Sequence, residues 1–154
     1  MLRLIFSRRT PLTLRGIAAL LALAVASATT VADETLWSPN GKLRVDIDTR
    51  QQLRIALRAG DEVLLQPSAL ALSLNNGVTV GVDAEVKQLK RQQNRSVITP
   101  VVAYKRQHIR DDYNELRIDF KQPYSLIVRA ADDGIAWRFE TRFGGRIIVL
   151  DELV

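Results

Sequence analysis

The sequence predicts an all-β fold, in which many short strands pack as a β-sandwich. Apolar and polar residues alternate in segments such as LRVDID (43–48) and LRIDF (116–120). This two-residue period is typical of half-buried strands. Turn residues separate such segments at intervals of ~8–12 residues. Short alternating strands with turns at this spacing favour a sandwich or a barrel.

A first hairpin is predicted between residues 53 and 65. The segment LRIALR (53–58) alternates in the same way, and Gly60-Asp61-Glu62 then turns the chain into VLL (63–65). A short strand, a glycine-containing turn and a second strand together indicate a β-hairpin.

Two further strands are predicted on either side of NNG (75–77), whose residues tolerate positive φ. Apolar residues recur at every second position before and after it: Leu70, Leu72, Leu74, Val78, Val80 and Val82. Residues 84–92 have some helical propensity, but Val86 and Leu89 are their only clearly apolar side chains. We therefore interpret 84–92 as a polar strand or a linker.

The last part of the chain predicts a central strand, a hairpin and one more strand. Residues 124–130 are rich in apolar side chains, as expected for a strand covered on both faces. Asp132-Asp133-Gly134 then predicts a tight turn, in which Gly134 supplies a conformation that other residues enter only at a cost. After a strand over 135–142, residues 146–150 predict the last strand.

The strand after this turn has two distinct faces. Alternation places Ile135, Trp137, Phe139 and Thr141 on one face and Ala136, Arg138, Glu140 and Arg142 on the other. We expect Trp137 and Phe139 to enter the core, and a platform for stacking sugar rings is the alternative. Arg129 and Arg138 are expected to face each other across the hairpin. Because like charges directly opposite are destabilising, we expect Asp119 or Glu140 between or beside them.

Residues 1–28 have the three parts of a secretory signal peptide. They contain four arginines and no acid, and the twelve-residue apolar run IAALLALAVASA (17–28) ends in Ala-Ser-Ala. This run is shorter than the ~20 residues of a membrane-spanning helix. We expect cleavage after Ala28, with cleavage after Ala32 or an uncleaved anchor as alternatives. A twin-arginine route also stays open, because SRRT (7–10) resembles its signal. Residues 29–37 then form a short leader before a domain over 38–154.

The net charge of the chain without its first 28 residues argues against a nucleic-acid-binding protein. Residues 1–28 hold four of the 22 Lys and Arg and none of the 17 acids, so the remainder is nearly neutral and nucleic acid is not an expected partner. We interpret the basic run Lys87, Lys90, Arg91 and Arg95 as a solvated linker or turn.

The absence of cysteine excludes disulfides and a lipidated-cysteine anchor and suits a bacterial periplasm. We expect an exported protein, periplasmic in a Gram-negative bacterium or secreted, with no membrane attachment after cleavage.

Few residues suggest catalysis or metal binding. His108 is the only histidine and lies in a polar stretch, so we expect it on the surface. The acidic pairs Asp111-Asp112 and Asp132-Asp133 do not begin a calcium loop of the EF-hand type, and we interpret both as turns. The residue pattern therefore predicts no catalytic, cofactor-binding or metal-binding residue.

Four segments of the chain form a further pattern: SPNGKL (38–43), VLLQPSALAL (63–72), RDDYNEL (110–116) and RAADDGIAWRF (129–139). In this order they resemble the N-terminal domain of glycoside hydrolase family 97, whose members are exported bacterial α-glucosidases and α-galactosidases. The resemblance covers about Ser38 to Leu153.

The resemblance implies a β-super-sandwich related to galactose-mutarotase-like domains, which in full-length relatives packs on a catalytic (β/α)8 barrel. In those relatives the catalytic carboxylates lie in the barrel, and the calcium ligands lie there and in a later part of the N-terminal domain. We therefore expect an incomplete sandwich without cofactor or activity of its own, whose partner is a barrel encoded elsewhere or lost.

Two functions follow as hypotheses. The first is a non-catalytic N-terminal fragment of a family 97 hydrolase that acts on α-glucosides or α-galactosides through a separate barrel. The second is a free-standing exported β-sandwich that binds carbohydrate or a protein partner.

Overall fold

The computed structural model describes residues 34–102 and 108–154, and strands account for most of them. The expected signal peptide (1–28) and the alternative cleavage site after Ala32 lie outside the described residues. The strands are β1 (Glu34–Trp37), β2 (Leu43–Asp48), β3 (Arg54–Ala59), β4 (Glu62–Ala69), β5 (Ala71–Leu74), β6 (Thr79–Val80), β7 (Val86–Ile98), β8 (Ile109–Phe120), β9 (Tyr124–Ala131), β10 (Gly134–Thr141) and β11 (Val149–Leu153).

These strands form three antiparallel sheets, which confirms the predicted all-β sandwich. The first sheet has the order β1-β2-β3-β4, the second β10-β9-β8-β7, and the third β11-β5-β6. In the first two sheets every strand pairs with its neighbour in sequence, which is the usual arrangement of consecutive strands. In the described part of the chain, no helix is long and apolar enough to cross a membrane.

The core lies between the inner faces of the first two sheets. Each sheet contributes apolar side chains at every second position, the arrangement that a two-residue period dictates. Outside these two sheets, Leu53, Leu70 and Val80 of β6 also join the core. The fully buried members of this core include Val45, Ile47, Leu53, Ile55, Leu70, Val80, Leu116, Ile118, Phe120, Tyr124, Leu126 and Val128.

Strand β9 is the central strand that the sequence predicts. It pairs with β8 on one side and β10 on the other, and its residues 124–128 are buried on both faces. At its start, Tyr124 is 1% exposed and packs at 5.0 Å from the ring of Phe120. Its hydroxyl accepts a 3.2 Å hydrogen bond from the backbone N–H of Gly81, and burial raises the pKa of this phenol. This contact connects the second sheet to the segment that follows β6.

Several elements differ from the sequence-based interpretation. Residues 34–37, assigned above to the leader, form β1 and pair with β2. The basic run lies within the 13-residue strand β7 and not in a linker or turn, because β7 pairs with β8 along nearly its whole length. Asp111 and Asp112 lie inside β8 and form no turn, because they pair with Ser96 and Arg95 of β7.

The last strand leaves much apolar surface uncovered. All five residues of β11 are exposed, and β11 is an edge strand that pairs only with β5 among the described strands. Exposed edges of this kind are potential sites for the addition of another strand.

Candidate functional site

The β9–β10 hairpin turns through Asp132 and Asp133 alone, because Gly134 already pairs with Ala131 as the first residue of β10. Gly134 does not have positive φ, and a Cβ atom placed there would meet no atom within 4 Å. The prediction that Gly134 supplies a special turn conformation is therefore wrong. The reason is that the two-residue loop ends before this glycine.

The two arginines of the hairpin are not opposite each other, contrary to the prediction. Register pairs Arg129 with Ala136 and Arg138 with Ile127, so the arginines are diagonal neighbours on the outer face of the second sheet. The expected acid beside Arg138 is Glu140, whose Oε1 atom lies 2.9 Å from Arg138 Nη2. Of the two residues opposite them, only Ala136, which faces Arg129, is small.

Arg129 is held by a buried carboxylate that the sequence analysis did not single out. Its Nε atom donates a 2.6 Å hydrogen bond to Glu115, whose other oxygen accepts a 2.5 Å bond from Gln92. The hydrogen bond to Glu115 raises the pKa of Arg129. The guanidinium also lies 4.4 Å from the ring centroid of Tyr113, within the range of a cation–π contact.

Asp119 is the centre of a second polar cluster on the same face. Its Oδ1 atom accepts hydrogen bonds from Ser125 Oγ at 2.6 Å and from Arg117 Nε at 2.8 Å. Lys90 Nζ lies 3.3 Å from its other oxygen. The Ser125 bond is the main reason that the pKa of Asp119 falls to about 2, and the Arg117 and Lys90 bonds lower it further. Arg117 extends the cluster to Glu140 at 2.6 Å.

Two acids of this outer face are largely buried, and the most exposed charges on it are basic. The side chains of Glu115 and Asp119 are 8% and 14% exposed, whereas those of Lys90 and Arg138 are 56% and 60% exposed. Glu140 lies between these extremes, at 37%. We call this the cationic face: the outward-facing side chains of β7 to β10.

Trp137 and Phe139 lie on the opposite, inner face, as predicted. Both are partly buried and pack against the core cluster, together with Ile135. The ring of Phe139 meets Tyr124 edge-on, with centroids 6.2 Å apart and an interplanar angle of 83°. Because these rings face the core, the indole of Trp137 is not displayed on the cationic face as a sugar platform.

Hydrogen bonds tie the two main sheets together at the ends of their strands. The backbone N–H of Asn40 donates to Asp132 Oδ1 at 2.8 Å, and Asn114 Nδ2 donates to the carbonyl oxygen of Trp37 at 2.6 Å. Three of the four segments that carry the family resemblance thus meet here. Sequence reasoning missed these contacts, since Asp132 was interpreted only as a turn residue.

Arg91 makes a further connection between the sheets. It donates to the backbone carbonyl of Thr35 at 2.9 Å and pairs with Glu34 at 2.5 Å. These bonds hold β1 against β7. They give Arg91, one residue of the basic run, a structural role between the sheets.

Two polar residues that the sequence analysis considered, Asp111 and His108, make isolated contacts in the structure. Asp111 accepts a 2.9 Å bond from Asn94 Nδ2. His108 is exposed as predicted, with Nδ1 3.2 Å from Thr99 Oγ1. Within the described ranges, no group of three or more His, Cys, Asp or Glu residues could hold a metal ion.

A cleft of about 450 Å³ opens on the outer face of the first sheet, where the sequence analysis predicted no site. Pairing between β3 and β4 shifts register on both sides of Leu57, and Pro67 lies in β4 beside the first shift. Bulges bend a strand locally, and proline cannot donate a ladder hydrogen bond. The position of Pro67 is the signal from which this irregularity could have been anticipated. The lining residues are Thr35, Arg44, Asp46, Ile47, Asp48, Arg50, Arg54, Ile55, Ala56 and Pro67.

Comparison with known proteins matches residues 36–154 to the family described as Glycosyl-hydrolase 97 N-terminal. A retaining alpha-galactosidase of Bacteroides thetaiotaomicron is 32% identical over 105 residues, which is 68% of this chain and 16% of that protein. The chain therefore spans about a sixth of the length of this curated relative.

Solved structures have the same fold. A glycoside hydrolase family 97 enzyme from a Pseudoalteromonas species, in complex with acarbose, superposes with a TM-score of 0.69 and 21% identity, over 77% of this chain and 19% of that one. A beta-arabinopyranosidase superposes with a TM-score of 0.70 and 18% identity, over 79% of this chain and 20% of that one. At these identities the likeness shows the fold alone.

Proposed function

The chain belongs to the glycosyl-hydrolase 97 N-terminal family, and we propose that it is the non-catalytic β-sandwich that supports a family 97 catalytic barrel. The observation that carries this proposal is the family match over residues 36–154, which takes in nearly all of the described sandwich. The barrel would lie outside these 154 residues. The alpha-galactosidase relative supports a link to the breakdown of α-galactosides, and α-glucosides are the alternative that the family resemblance adds.

Two surfaces support a docking role. The cationic face presents exposed Lys90 and Arg138 above largely buried acids, which suits an acidic partner surface. Strand β11 presents exposed Val149, Leu150 and Leu153, which suits coverage by further polypeptide.

We propose that the sandwich itself uses no calcium, the metal that the family resemblance implies for full-length relatives. Calcium takes six to eight oxygen ligands. That no group of three or more acidic or histidine side chains comes together in the described ranges supports this proposal. Added calcium should leave its melting temperature unchanged, and a calcium-dependent rise would contradict this.

The DNA downstream of the gene provides the first test of the supporting role. A reading frame for a barrel found there would be expressed with and without the chain. We expect the pair to co-elute and to hydrolyse nitrophenyl α-glucosides or α-galactosides, and the chain alone to release no product. A barrel that is equally soluble and active without the chain would contradict the supporting role. Turnover by the chain alone that disappears in a point mutant would contradict its non-catalytic nature.

A free-standing module that binds carbohydrate or protein is the second candidate function. The cleft on the first sheet favours it, because ligand pockets commonly have volumes of ~300–1,000 Å³. A glycan array with the purified chain separates the two functions: reproducible binding without any barrel favours the module.

We also propose that the protein is exported and loses residues 1–28. The tripartite N-terminus supports this. Mass spectrometry of periplasmic material should find an N-terminus at Thr29, or at Asp33 for the alternative site. Membrane-embedded protein that retains Met1 would contradict the proposal.

A further inference from the structure

The cleft on the outer face of the first sheet has an unbalanced set of charges. Two acids line it, Asp46 and Asp48, together with three arginines: Arg44, Arg50 and Arg54. Among the described residues of the lining, positive charges thus outnumber negative charges by one.

Asp46 is already satisfied by neighbouring donors. Thr35 Oγ1 donates to its Oδ1 at 3.0 Å and Arg44 Nε at 2.8 Å. Arg44 is itself held from the other side, because its guanidinium lies 5.7 Å from the ring centroid of Trp37. Asp46 and Arg44 therefore form a fixed, neutral wall.

Asp48 is satisfied in the same way by Arg50. The Nη2 atom of Arg50 lies 2.7 Å from Asp48 Oδ2, and its Nε and backbone N–H donate to Oδ1 at 3.0 and 2.9 Å. The side-chain bond from Arg50 is the main reason that the pKa of Asp48 lies below its ordinary value. This pair also contributes no net charge.

Arg54 is the cation that carries the excess charge. It pairs in register with Asp48 across β2 and β3, and its charge helps to lower the pKa of that carboxyl, but in the described ranges its side chain makes no hydrogen bond and no ion pair within 4.0 Å. A guanidinium has five N–H donors in a planar fork that matches the two oxygens of a carboxylate. Arg54 therefore offers the cleft a carboxylate-binding group that no side chain of the described sandwich occupies.

The rest of the cleft suits a sugar ring. Ala56 and Pro67 form a small apolar floor beside the bulge of β4, and the Thr35 hydroxyl and the charged walls provide hydrogen-bonding groups around it. Apolar surface with a few polar groups is the usual composition of a small-molecule site. We propose that this cleft binds a pyranose that carries one carboxylate, a hexuronic acid, with the carboxylate on Arg54. This goes beyond the supporting role and does not depend on it.

The test is calorimetric titration of the full chain with D-glucuronate and D-galacturonate. D-glucose and D-galactose serve as neutral counterparts, and acetate as a carboxylate without a ring. We expect saturable binding of at least one uronate, and no binding of the neutral sugars or acetate at the same concentrations. Absence of uronate binding, or equal binding of a neutral sugar or acetate, would overturn the proposal.

Variants locate the site. Arg54→Gln should weaken uronate binding by about tenfold or more, as expected for loss of a hydrogen-bonded charge. Arg58→Gln is the matched control, because Arg58 lies on the same strand and face, 3.9 Å from Asp46 but outside the cleft lining, and should change binding less than about twofold. Equal loss in both variants would indicate general charge attraction and overturn the site.

A second variant tests the cleft independently, in case Arg54→Gln does not fold. Ala56→Leu fills the floor of the cleft without altering its charge and should abolish uronate binding. Melting curves check that each variant is folded. Uronate binding unchanged in folded Ala56→Leu would place the ligand elsewhere and overturn the proposal.

Discussion

The backbone N–H of Asn40 donates a 2.8 Å hydrogen bond to Asp132 Oδ1, across 92 residues of sequence. Asn40 lies in the turn between β1 and β2, and Asp132 in the turn between β9 and β10. The bond therefore joins the first sheet to the second at the ends of their hairpins. Asp132 and its neighbour Asp133 are the same residue type in the same turn. Of their two side chains, only that of Asp132 makes a hydrogen bond to another described residue.

Asp132→Ala should lower the free energy of unfolding by about 1 kcal/mol, the usual worth of one such hydrogen bond. The matched control is Asp133→Ala, which should change stability by less than about 0.5 kcal/mol. Urea denaturation of the two variants measures the difference. Equal effects would mean that the inter-sheet bond contributes nothing.

Trp137→Ala should destabilise the sandwich, because the indole packs against the core from the edge strand β10. We expect a loss of about 2–3 kcal/mol, below the ~3–5 kcal/mol of a fully buried ring. Arg138→Ala, on the exposed face of the same strand, should leave the melting temperature nearly unchanged. A Trp137→Ala protein with the wild-type melting temperature but no glycan binding would instead support a sugar platform.

Acid sensitivity should depend on Asp119. Its pKa is about 2 in the folded protein, against an ordinary value of 3.8. The stabilisation linked to a lowered pKa is complete above about pH 4 and is lost as the pH falls towards 2. From this linkage, Asp119→Asn should cost about 2 kcal/mol more at pH 7 than at pH 2. Denaturation curves across this range test it, and a pH-independent cost would contradict it.

Gly81→Ala should be the most disruptive single-methyl change among the described glycines. A Cβ there would lie 2.1 Å from the carbonyl oxygen of Leu70, and the residue has φ of +87°. The variant should lose more than the about 1–2 kcal/mol that left-handed backbone alone costs. Gly77→Ala, at φ +78° with open space around it, should lose only that backbone cost. Similar melting temperatures for both variants would contradict the steric argument.

Prediction from sequence succeeded where the signal is local. Strand β2 forms over the predicted residues 43–48, and β9 is buried on both faces as its composition indicated. Strand β7 was harder to recognise because most of its side chains are exposed, so it has little apolar periodicity. It forms a strand because its backbone pairs with that of β8 along nearly its whole length.

The polar contacts could not be predicted from any local pattern. Glu115 is an ordinary acid in an alternating strand, yet its side chain is only 8% exposed, and Arg129 and Gln92 donate hydrogen bonds to it from the two neighbouring strands. Which side chains become neighbours on one face depends on strand register. A shift of one residue would move every side chain of a strand to the opposite face.

By itself, the sequence determined the class of fold, the faces of its main strands and the family, because each depends on residue order over short stretches. Tertiary structure decided that Asp132 binds Asn40 and that Arg54 lines a cleft beside Ala56. It also decided that Gly134 belongs to a strand and that the backbone of Gly81 lies close to the carbonyl group of Leu70. These outcomes depend on the distances between segments far apart in sequence, and only the packing of the sheets sets those distances.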